Sequence, residues 1–470
     1  MATLARKLSL GHPFLYGGTL LVAIVVGAAI AYAQGFLGDS GSYVVVGSIL
    51  VAVVVVAILL EWRLGVLMLP AVLPYESVIK IETSSGGLAS GVKALALLTF
   101  FSLALGLLTE RKLSERLLRL WQQPLTLAVF TLALWALASM LWASHQDAAQ
   151  TKATTFLGVF GLMMVVGMLE KRYLGLLWAV AALSAAISIP AAYVLPENDK
   201  MITQGRFSSG GADPNDYACL LVIVLVVAYF GLRHYRIATY LASPVLLFGI
   251  FASQSRTALI ALAATPVLAM FVPRLTARLG GRTLIMYGLG AVVLAGVVLA
   301  LPLVGETVEG RYMTLSQYED EATWAGRWSI WQGVLEVIAS HPILGVGAGN
   351  FKYSALELSA QLAEKSAQKG DFWGAAHNMF LSVASELGFV GLVLFLGILF
   401  FAFRMVLPIS KRSTLGTGIF LGLIAFTIAG LTLTWEYQKI GYVLFGSILS
   451  LHLQQVEQRV PLPDEQETLR

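Results

Sequence analysis

The sequence predicts an all-α, polytopic transmembrane helix bundle with one large outer, partly helical loop. Of its 470 residues, 57% are hydrophobic and only 12% are charged, whereas soluble globular proteins carry about 25% charged residues. The apolar residues form runs long enough to cross a ~30 Å hydrocarbon core as helices. The basic residues concentrate in alternate connections between these runs.

The apolar runs predict about 12–14 spans, because runs of roughly 17–25 residues suit a membrane-crossing helix. Fourteen candidates lie at 13–33, 43–61, 64–80, 88–108, 123–143, 153–169, 173–194, 216–233, 237–253, 257–273, 283–304, 384–405, 414–433 and 437–454. The run at 64–80 is the weakest, because Pro70 and Pro74 interrupt it. We interpret the first run as a retained span, since no convincing signal-peptide cleavage site follows it.

The loops set the expected orientation and domain organisation. Short cytoplasmic loops carry the lysine and arginine excess, so the distribution of the 31 basic residues predicts cytoplasmic termini and an external long loop. A loop of this length is typical of a functional segment. The predicted regions are a transmembrane bundle at 1–304, an outer loop domain at 305–383, transmembrane helices at 384–454 and a cytoplasmic tail at 455–470.

The outer loop itself predicts two helices. Large apolar residues recur at helical spacing between Arg327 and Ile338, which indicates a helix lying on the bundle surface. These residues are Trp328, Trp331, Leu335 and Ile338. A second helix is predicted over 353–369.

His377 is the candidate general base. It lies on the predicted outer side, just before a long apolar run, and an ionisable residue at a membrane edge is a functional candidate by default. Its imidazole titrates near neutral pH and can accept a proton from a sugar hydroxyl. Asn378 beside it is a candidate substrate-binding residue. The alternative is an interfacial histidine without a chemical role.

Three arginines are predicted to face the same compartment as His377. Arg206 lies in a glycine-rich loop, Arg256 in a very short turn, and Arg327 beside Trp328 at the start of the surface helix. A guanidinium can fork two oxygens of a phosphate, and one beside an indole can also contact a sugar. The alternatives are anchoring to lipid headgroups and, for Arg327, an interfacial helix.

Four other residues complete the candidate list. Asp213 and Asn215 stand beside a predicted helix start, so helix capping is the main alternative to substrate contact. Arg311 in the outer loop is a weaker candidate for anion contact. Cys219 is the single cysteine, which excludes an intrachain disulfide, and we expect a buried structural thiol.

The sequence also argues against several functions. It contains no P-loop, no acidic pair with flanking histidines that suggests a metal site, and no basic patch that suggests nucleic acid. Sparse charge within the predicted spans argues against an ion-coupled transporter. A lipid or polysaccharide transporter and a purely structural scaffold stay as alternatives of a different class.

The ordered motifs between about 205 and 395 resemble the family of O-antigen ligases and related Wzy-type polymerases. The matching segments are Gly205–Asn215, Ser255–Thr257, Gly326–Trp328, His341–Phe351, His377–Asn378 and Glu386–Gly391. Each segment alone is a weak signal, but the whole ordered set is specific. The preceding spans match only in hydropathy.

This resemblance implies a GT-C-like, metal-independent, inverting glycosyltransferase without a cofactor, acting on the periplasmic face of a bacterial inner membrane. The donor would be a glycan on undecaprenyl diphosphate, and a ligase would transfer it to a sugar of the lipid A core. By the same resemblance, His377 would be the base on the acceptor hydroxyl, and Arg206, Arg256 and Arg327 would stabilise the diphosphate. The single dominant outer loop favours a ligase, while a polymerase and an O-linked protein glycosyltransferase are the alternatives.

Overall fold

The fold is all-α with two short hairpins. A computed structural model describes residues 41–76, 80–82, 88–194, 202–203, 206–208, 213–272, 289–290, 324–360, 363 and 375–457. The predicted span at 13–33 and all of the one at 283–304 except residues 289–290 lie outside the described residues, as does Arg311. The strands are β1 (Lys80–Glu82), β2 (Leu88–Ser90), β3 (Ile202–Thr203) and β4 (Arg206–Phe207). Strand β1 pairs with β2, and β3 pairs with β4, both in the antiparallel sense.

Fifteen helices make up most of the described chain. They are α1 (Gly41–Leu60), α2 (Trp62–Val72), α3 (Gly91–Thr109), α4 (Arg111–Trp121), α5 (Pro124–Ala138), α6 (Gln146–Gly167), α7 (Lys171–Val194), α8 (Pro214–Gly231), α9 (Arg236–Ala252), α10 (Arg256–Met270), α11 (Trp324–Ser340), α12 (Phe351–Leu358), α13 (Met379–Ser410), α14 (Thr414–Gly430) and α15 (Lys439–Glu457). Single 3₁₀ turns occupy Leu73–Tyr75, Ser139–Leu141 and Arg233–Tyr235.

The helices are long and apolar enough for a polytopic membrane protein. Within the described residues, six reach the length and hydropathy of a membrane span. These lie at Gly91–Thr109, Pro124–Leu141, Gln146–Gly167, Lys171–Ala192, Pro214–Gly231 and Met379–Ser410. Shorter apolar helices, among them α9, α10 and α14, pack between them around one large core. The predicted fold class is therefore confirmed.

Contacts near the ends of the helices define two ends of the bundle. At the first, Arg63 Nη2 donates to Glu170 Oε1 at 3.3 Å, and Arg119 Nη1 donates to Glu457 Oε1 at 3.2 Å. We call this the basic end. It carries the connections after α1, α3, α4, α6, α8 and α13 and the end of α15. The opposite end, which we call the loop end, carries both hairpins, α11, α12 and the connection between α14 and α15.

Two elements differ from the sequence predictions. The weak run at 64–80 forms the 11-residue helix α2, which ends at Val72 and leads through a 3₁₀ turn towards the first hairpin. Helix α4 lies in a connection that no predicted span covered. Its Leu113 and Leu120 are buried against the bundle, and its arginines lie at the basic end.

The predicted surface helix is present as α11, and only some of its large apolar residues face the protein. Ile330, Val334 and Val337 are buried, whereas Trp328 and Leu335 are exposed. The buried residues form a second, small core with members of the following segment: Val346, Phe351, Ala355 and Ala376. The size of an apolar side chain does not predict its burial in this helix, because two valines and an isoleucine pack against this segment while Trp328 and Leu335 stay exposed. The second predicted helix is observed as the shorter α12, and most of the remaining stretch to 369 lies outside the described residues.

Candidate active site

The connection between α14 and α15 organises the loop end of the bundle. We call residues 431–438 the central loop. Thr434 Oγ1 accepts a hydrogen bond from the backbone N–H of His377 at 3.1 Å, and the Leu431 carbonyl accepts one from Asn378 Nδ2 at 3.0 Å. Trp435 Nε1 donates to the carboxylate of Asp216 at 2.7 Å. The central loop therefore ties the start of α13 to the start of α8.

His377 has a strained backbone. Its φ of +46° lies in the left-handed region, which non-glycine residues adopt rarely and which is often found at functional sites. Its neighbours are fixed on both sides. The Ala376 carbonyl accepts from Trp331 Nε1 at 3.1 Å, and Asn378 Oδ1 caps α13 by accepting from the N–H groups of Phe380 and Leu381.

Electrostatics favour the neutral imidazole at His377. Burial lowers the pKa of His377 below its ordinary value, the positive charge of Arg327 lowers it further, and Asp213 opposes both effects. A neutral imidazole at neutral pH has a nitrogen lone pair available to accept a proton. The site therefore holds the histidine in the form that a general base requires.

Arg206 is held inside the protein by two directed hydrogen bonds. Its residue exposure is only 8%. Its Nε donates to the Ser253 carbonyl at 2.9 Å, and its Nη2 donates to Asn215 Oδ1 at 3.2 Å. Asp213 Oδ1 accepts from the backbone N–H of Asn215 at 2.6 Å and from its Nδ2 at 2.9 Å. Asp213 therefore caps α8, and Asn215 links that cap to the arginine.

Arg256 begins helix α10 in the turn that receives Arg206. Ser255 is the N-cap of this helix, and Gln254 before it has a left-handed φ of +54°. Thr257 shares a hydrogen bond of 2.7 Å with Thr432 of the central loop. A helix N-terminus carries partial positive charge and favours a bound anion. The guanidinium of Arg256 adds a full positive charge at the same position.

Arg327 lies in the first turn of α11, close enough to lower the pKa of His377. Its neighbour Trp328 is 60% exposed at the loop end. The structure thus gathers the described candidates around the central loop and the turn before α10. Among the described residues, no group of three or more His, Cys, Asp and Glu side chains could hold a metal ion; metal independence itself stays a prediction. Cys219 is buried within α8, as expected.

Sequence analysis missed a buried ion cluster beside this site. Lys152 Nζ lies 2.8 Å from Glu436 Oε1 and 3.0 Å from Glu386 Oε2. Lys152 and Glu436 do stand out in the sequence, the first at the edge of an apolar run and the second in a gap of only three residues between two predicted spans. The sequence did not indicate that they form an ion pair, because Lys152, Glu386 and Glu436 are far apart in the chain.

The glycine-rich part of the resemblance has a structural role. The Pro342 and Ile343 carbonyls accept from the N–H groups of Phe389 and Val390 at 2.8 and 3.4 Å, where Gly388 interrupts helical geometry in α13 with a φ of +66°. A Cβ at Gly388 would collide with the Ile343 carbonyl, so the close approach requires glycine.

Asn350 fastens the other end of this segment. Its Oδ1 accepts from the backbone N–H of His145 at 2.7 Å, and its Nδ2 donates to the His145 carbonyl at 3.2 Å. Together with the contacts at Gly388, these bonds fix the segment between α11 and α12 to the membrane helices α6 and α13. The outer segment is therefore part of the bundle at this point.

The fold and these contacts define a class: a polytopic membrane protein with a polar, arginine-containing site at one end of its bundle. Within it, residues 241–396 match the family model described as "O-Antigen ligase", and this match confirms the resemblance. The matched range includes Arg256, Arg327 and His377, whereas Arg206 precedes it.

The chain is also similar to a curated relative. It is 26% identical over 216 residues to the "ComP-specific O-oligosaccharyltransferase" of Acinetobacter baylyi (strain ATCC 33305 / BD413 / ADP1). The match covers 45% of this chain and 38% of that relative.

Proposed function

We propose that this protein is an O-antigen ligase-type, inverting glycosyltransferase. It moves a glycan from undecaprenyl diphosphate to a lipid A core sugar on the periplasmic face of the inner membrane, without a metal. One observation carries the proposal: His377, whose pKa is lowered by burial and by the charge of Arg327, lies at the same end of the bundle as Arg256 at the start of α10 and as Arg206, which donates to the turn before that helix.

In this mechanism His377 acts on the acceptor. Its imidazole removes the proton of the acceptor hydroxyl while that oxygen forms a bond to the anomeric carbon of the donor sugar. The bond between this carbon and the diphosphate oxygen breaks, and undecaprenyl diphosphate leaves with the bonding electron pair. Attack from the face opposite the leaving group inverts the anomeric configuration. A positioned base typically contributes 10²–10⁴-fold to such a rate.

The arginines act on the leaving group. Negative charge grows on the diphosphate as the glycosidic bond breaks, and preorganised cations at that position are often the largest catalytic contribution. Arg206 is prepared for this role by its hydrogen bonds to Ser253 and Asn215. Arg256 and Arg327 would supply the remaining positive charge, and Trp328, Asn378 and Arg311 would contact the sugars or the carrier.

The location supports a lipid-borne substrate. The excess of lysine and arginine at the basic end favours a cytoplasmic position for that end, which directs the loop end to the periplasm. A polyprenyl chain would then lie in the bilayer while its diphosphate reaches the helix ends of α8 and α10. This arrangement supports a donor that is synthesised in the cytoplasm and flipped before transfer.

A protein acceptor is the second candidate. It is favoured by the similarity to the ComP-specific O-oligosaccharyltransferase of Acinetobacter baylyi. The two candidates share the donor chemistry and differ only in the hydroxyl that His377 would deprotonate.

The test is a reconstituted transfer assay with the purified full-length chain in liposomes. An undecaprenyl diphosphate-linked glycan is supplied with EDTA and with lipid A core, with ComP as a protein acceptor, or with no acceptor. Product on the core supports the ligase, and product on the protein supports the second candidate. Longer lipid-linked chains without an added acceptor indicate a polymerase. Intact donor in every reaction, with folded protein, contradicts glycosyl transfer and directs attention to transport.

A further inference from the structure

Lys152 is the cation of a buried cluster that contains more acid than base. Its side chain is 14% exposed, and those of Glu386 and Glu436 are 8% and 1% exposed. The ammonium also lies 4.5 Å from the centre of the Tyr437 ring. Burial of charges is costly unless they are paired and hydrogen-bonded, so the lysine is required by both carboxylates.

The two carboxylates belong to different parts of the site. Glu436 lies in the central loop, where Ser382 Oγ also donates to its Oε1 at 2.8 Å and its backbone carbonyl accepts from the Tyr442 hydroxyl at 2.9 Å. Glu386 lies in α13, where its Oε2 accepts from the Gly349 N–H at 2.9 Å. Lys152 therefore joins α6 to the central loop through one ion pair and to α13 through the other.

The central loop leads directly from this cluster to the candidate base. Glu436 is two residues from Thr434, whose hydroxyl accepts from the N–H of His377. A short loop that is pinned at Glu436 keeps Thr434 in place, and Thr434 in turn helps to hold the strained backbone of His377. Loss of the Glu436 pair would release this support without removing any group that faces the substrate.

We infer that Lys152 is a positioning residue for the proposed transfer, in which its ion pair with Glu436 fixes the central loop that supports His377. The inference rests on the proposed function for its catalytic consequence. Its structural consequence, a central loop held by this ion pair, can be measured without any substrate. Displacement of a reacting group by about 1 Å can cost roughly 10²-fold in rate, so even a small shift of the loop would be visible in kcat.

The experiment compares Glu436→Gln with Glu386→Gln. Each substitution is nearly isosteric, removes one ion pair and leaves Lys152 with its other partner, so neither creates an uncompensated lysine. We expect Glu436→Gln to lower kcat by roughly tenfold or more, with the KM for the lipid-linked donor changed less than about twofold because the arginines are untouched. Glu386→Gln should keep most of the wild-type kcat.

Hydrogen exchange measured by mass spectrometry supplies the second readout. Glu436→Gln and Lys152→Met should speed exchange in peptides covering 431–438 and the start of α13, whereas Glu386→Gln should leave the central loop protected. Arg116→Met is the matched control for Lys152→Met. Its guanidinium is a partly buried cation at the basic end that donates to the Leu169 carbonyl at 2.8 Å, and its loss should leave both kcat and exchange in the central loop unchanged.

Three outcomes overturn the inference: unchanged exchange in Glu436→Gln, equal effects of Glu436→Gln and Glu386→Gln, or the same loss of kcat in Arg116→Met as in Lys152→Met. Failure of the proposed function looks different. The wild-type protein would then transfer no glycan to any acceptor, although the Glu436 variant still loosened the central loop.

Discussion

The two ends of the bundle use charged residues in different ways. At the basic end, the Arg111–Glu115 and Arg119–Glu457 pairs are largely open to solvent, with arginine side-chain exposures of 92% and 49%, and Arg63 with 15% is the exception. At the loop end, Lys152 and its two carboxylates are almost completely enclosed.

The difference in exposure indicates how strongly each end depends on the particular partners of its charged side chains. Exposed ion pairs contribute at most about 1 kcal/mol to the stability of the fold. The orientation of the protein in the membrane depends on how many basic residues a loop carries, and not on which partner each of them contacts. Enclosed charges must meet specific partners, and here the two partners of Lys152 join α6 to the central loop and to α13. The basic end can therefore tolerate substitutions that the loop end cannot, and matched substitutions at the two ends test this comparison.

The largest expected effect concerns two histidines. His377→Ala should lower the transfer rate by about 10²–10⁴-fold, because the acceptor hydroxyl loses its base. His234→Ala at the basic end, where the side chain is exposed, should leave the rate unchanged. Initial rates of both purified variants are compared after gel filtration and circular dichroism confirm folding. Full activity of the His377 variant would remove the base assignment.

The next effect compares two arginines that each begin a helix. Arg256→Lys should lower the transfer rate about tenfold or more, because a point charge cannot replace a fork on two phosphate oxygens. Arg236→Lys, at the first position of α9 on the basic end, should have no measurable effect. Steady-state kinetics with the lipid-linked donor measure both. Equal activity of the two lysine variants would show that Arg256 does not bind the diphosphate.

The pH dependence of transfer tests how the charges of Arg327 and Asp213 act on His377. Burial and Arg327 lower the pKa of His377, so the rate should rise with pH through a midpoint below about 6.5 and then reach a plateau. Arg327→Gln removes a charge that disfavours the imidazolium, and its midpoint should move upward. Asp213→Asn removes a charge that favours the imidazolium, and its midpoint should move downward. Profiles of log(kcat/KM) against pH, which report the free protein, would exclude His377 as the titrating group if they coincide for all three proteins.

The smallest effect concerns two helix caps. Asp213 caps α8 at the loop end, and Ser413 caps α14 at the basic end by accepting from the Gly416 N–H at 3.4 Å. Replacement of either by alanine should cost about 1 kcal/mol of stability, seen as a similar decrease of Tm in detergent. Only Asp213→Ala should also reduce transfer, since Asn215 and Arg206 lose their anchor. A similar loss of activity in Ser413→Ala would contradict the asymmetry between the ends.

Much of the fold follows from the sequence because hydropathy acts over contiguous residues. Apolar runs such as 173–194 and 216–233 correspond closely to α7 and α8. The helix that forms in the run at 64–80 ends at Val72, earlier than expected, because Pro74 and the polar residues after it favour a turn. The residues that bury α11 could not be named from the sequence, because neither spacing nor size indicates which apolar residues meet a partner.

The candidate site was only partly accessible to sequence reasoning. Arg206, Arg256 and His377 were found through their polar surroundings beside apolar runs, and their chemical roles stay predictions. The central loop was missed because its residues stand in a short gap between two spans. Its importance depends on contacts with Asp216, His377 and Lys152, which are distant in sequence and meet only through tertiary packing.

The interrupted geometry at Gly388 also has a consequence for engineering acceptor choice. Because Phe389 and Val390 donate to Pro342 and Ile343, the outer segment and the first half of α13 are built as one piece. A chimera that exchanges the outer loop between related proteins should therefore carry residues 342–390 together, with the junctions outside this stretch. Cutting at the apparent start of the membrane helix, near Met379, would separate donors from their acceptors and leave two mismatched halves in every hybrid.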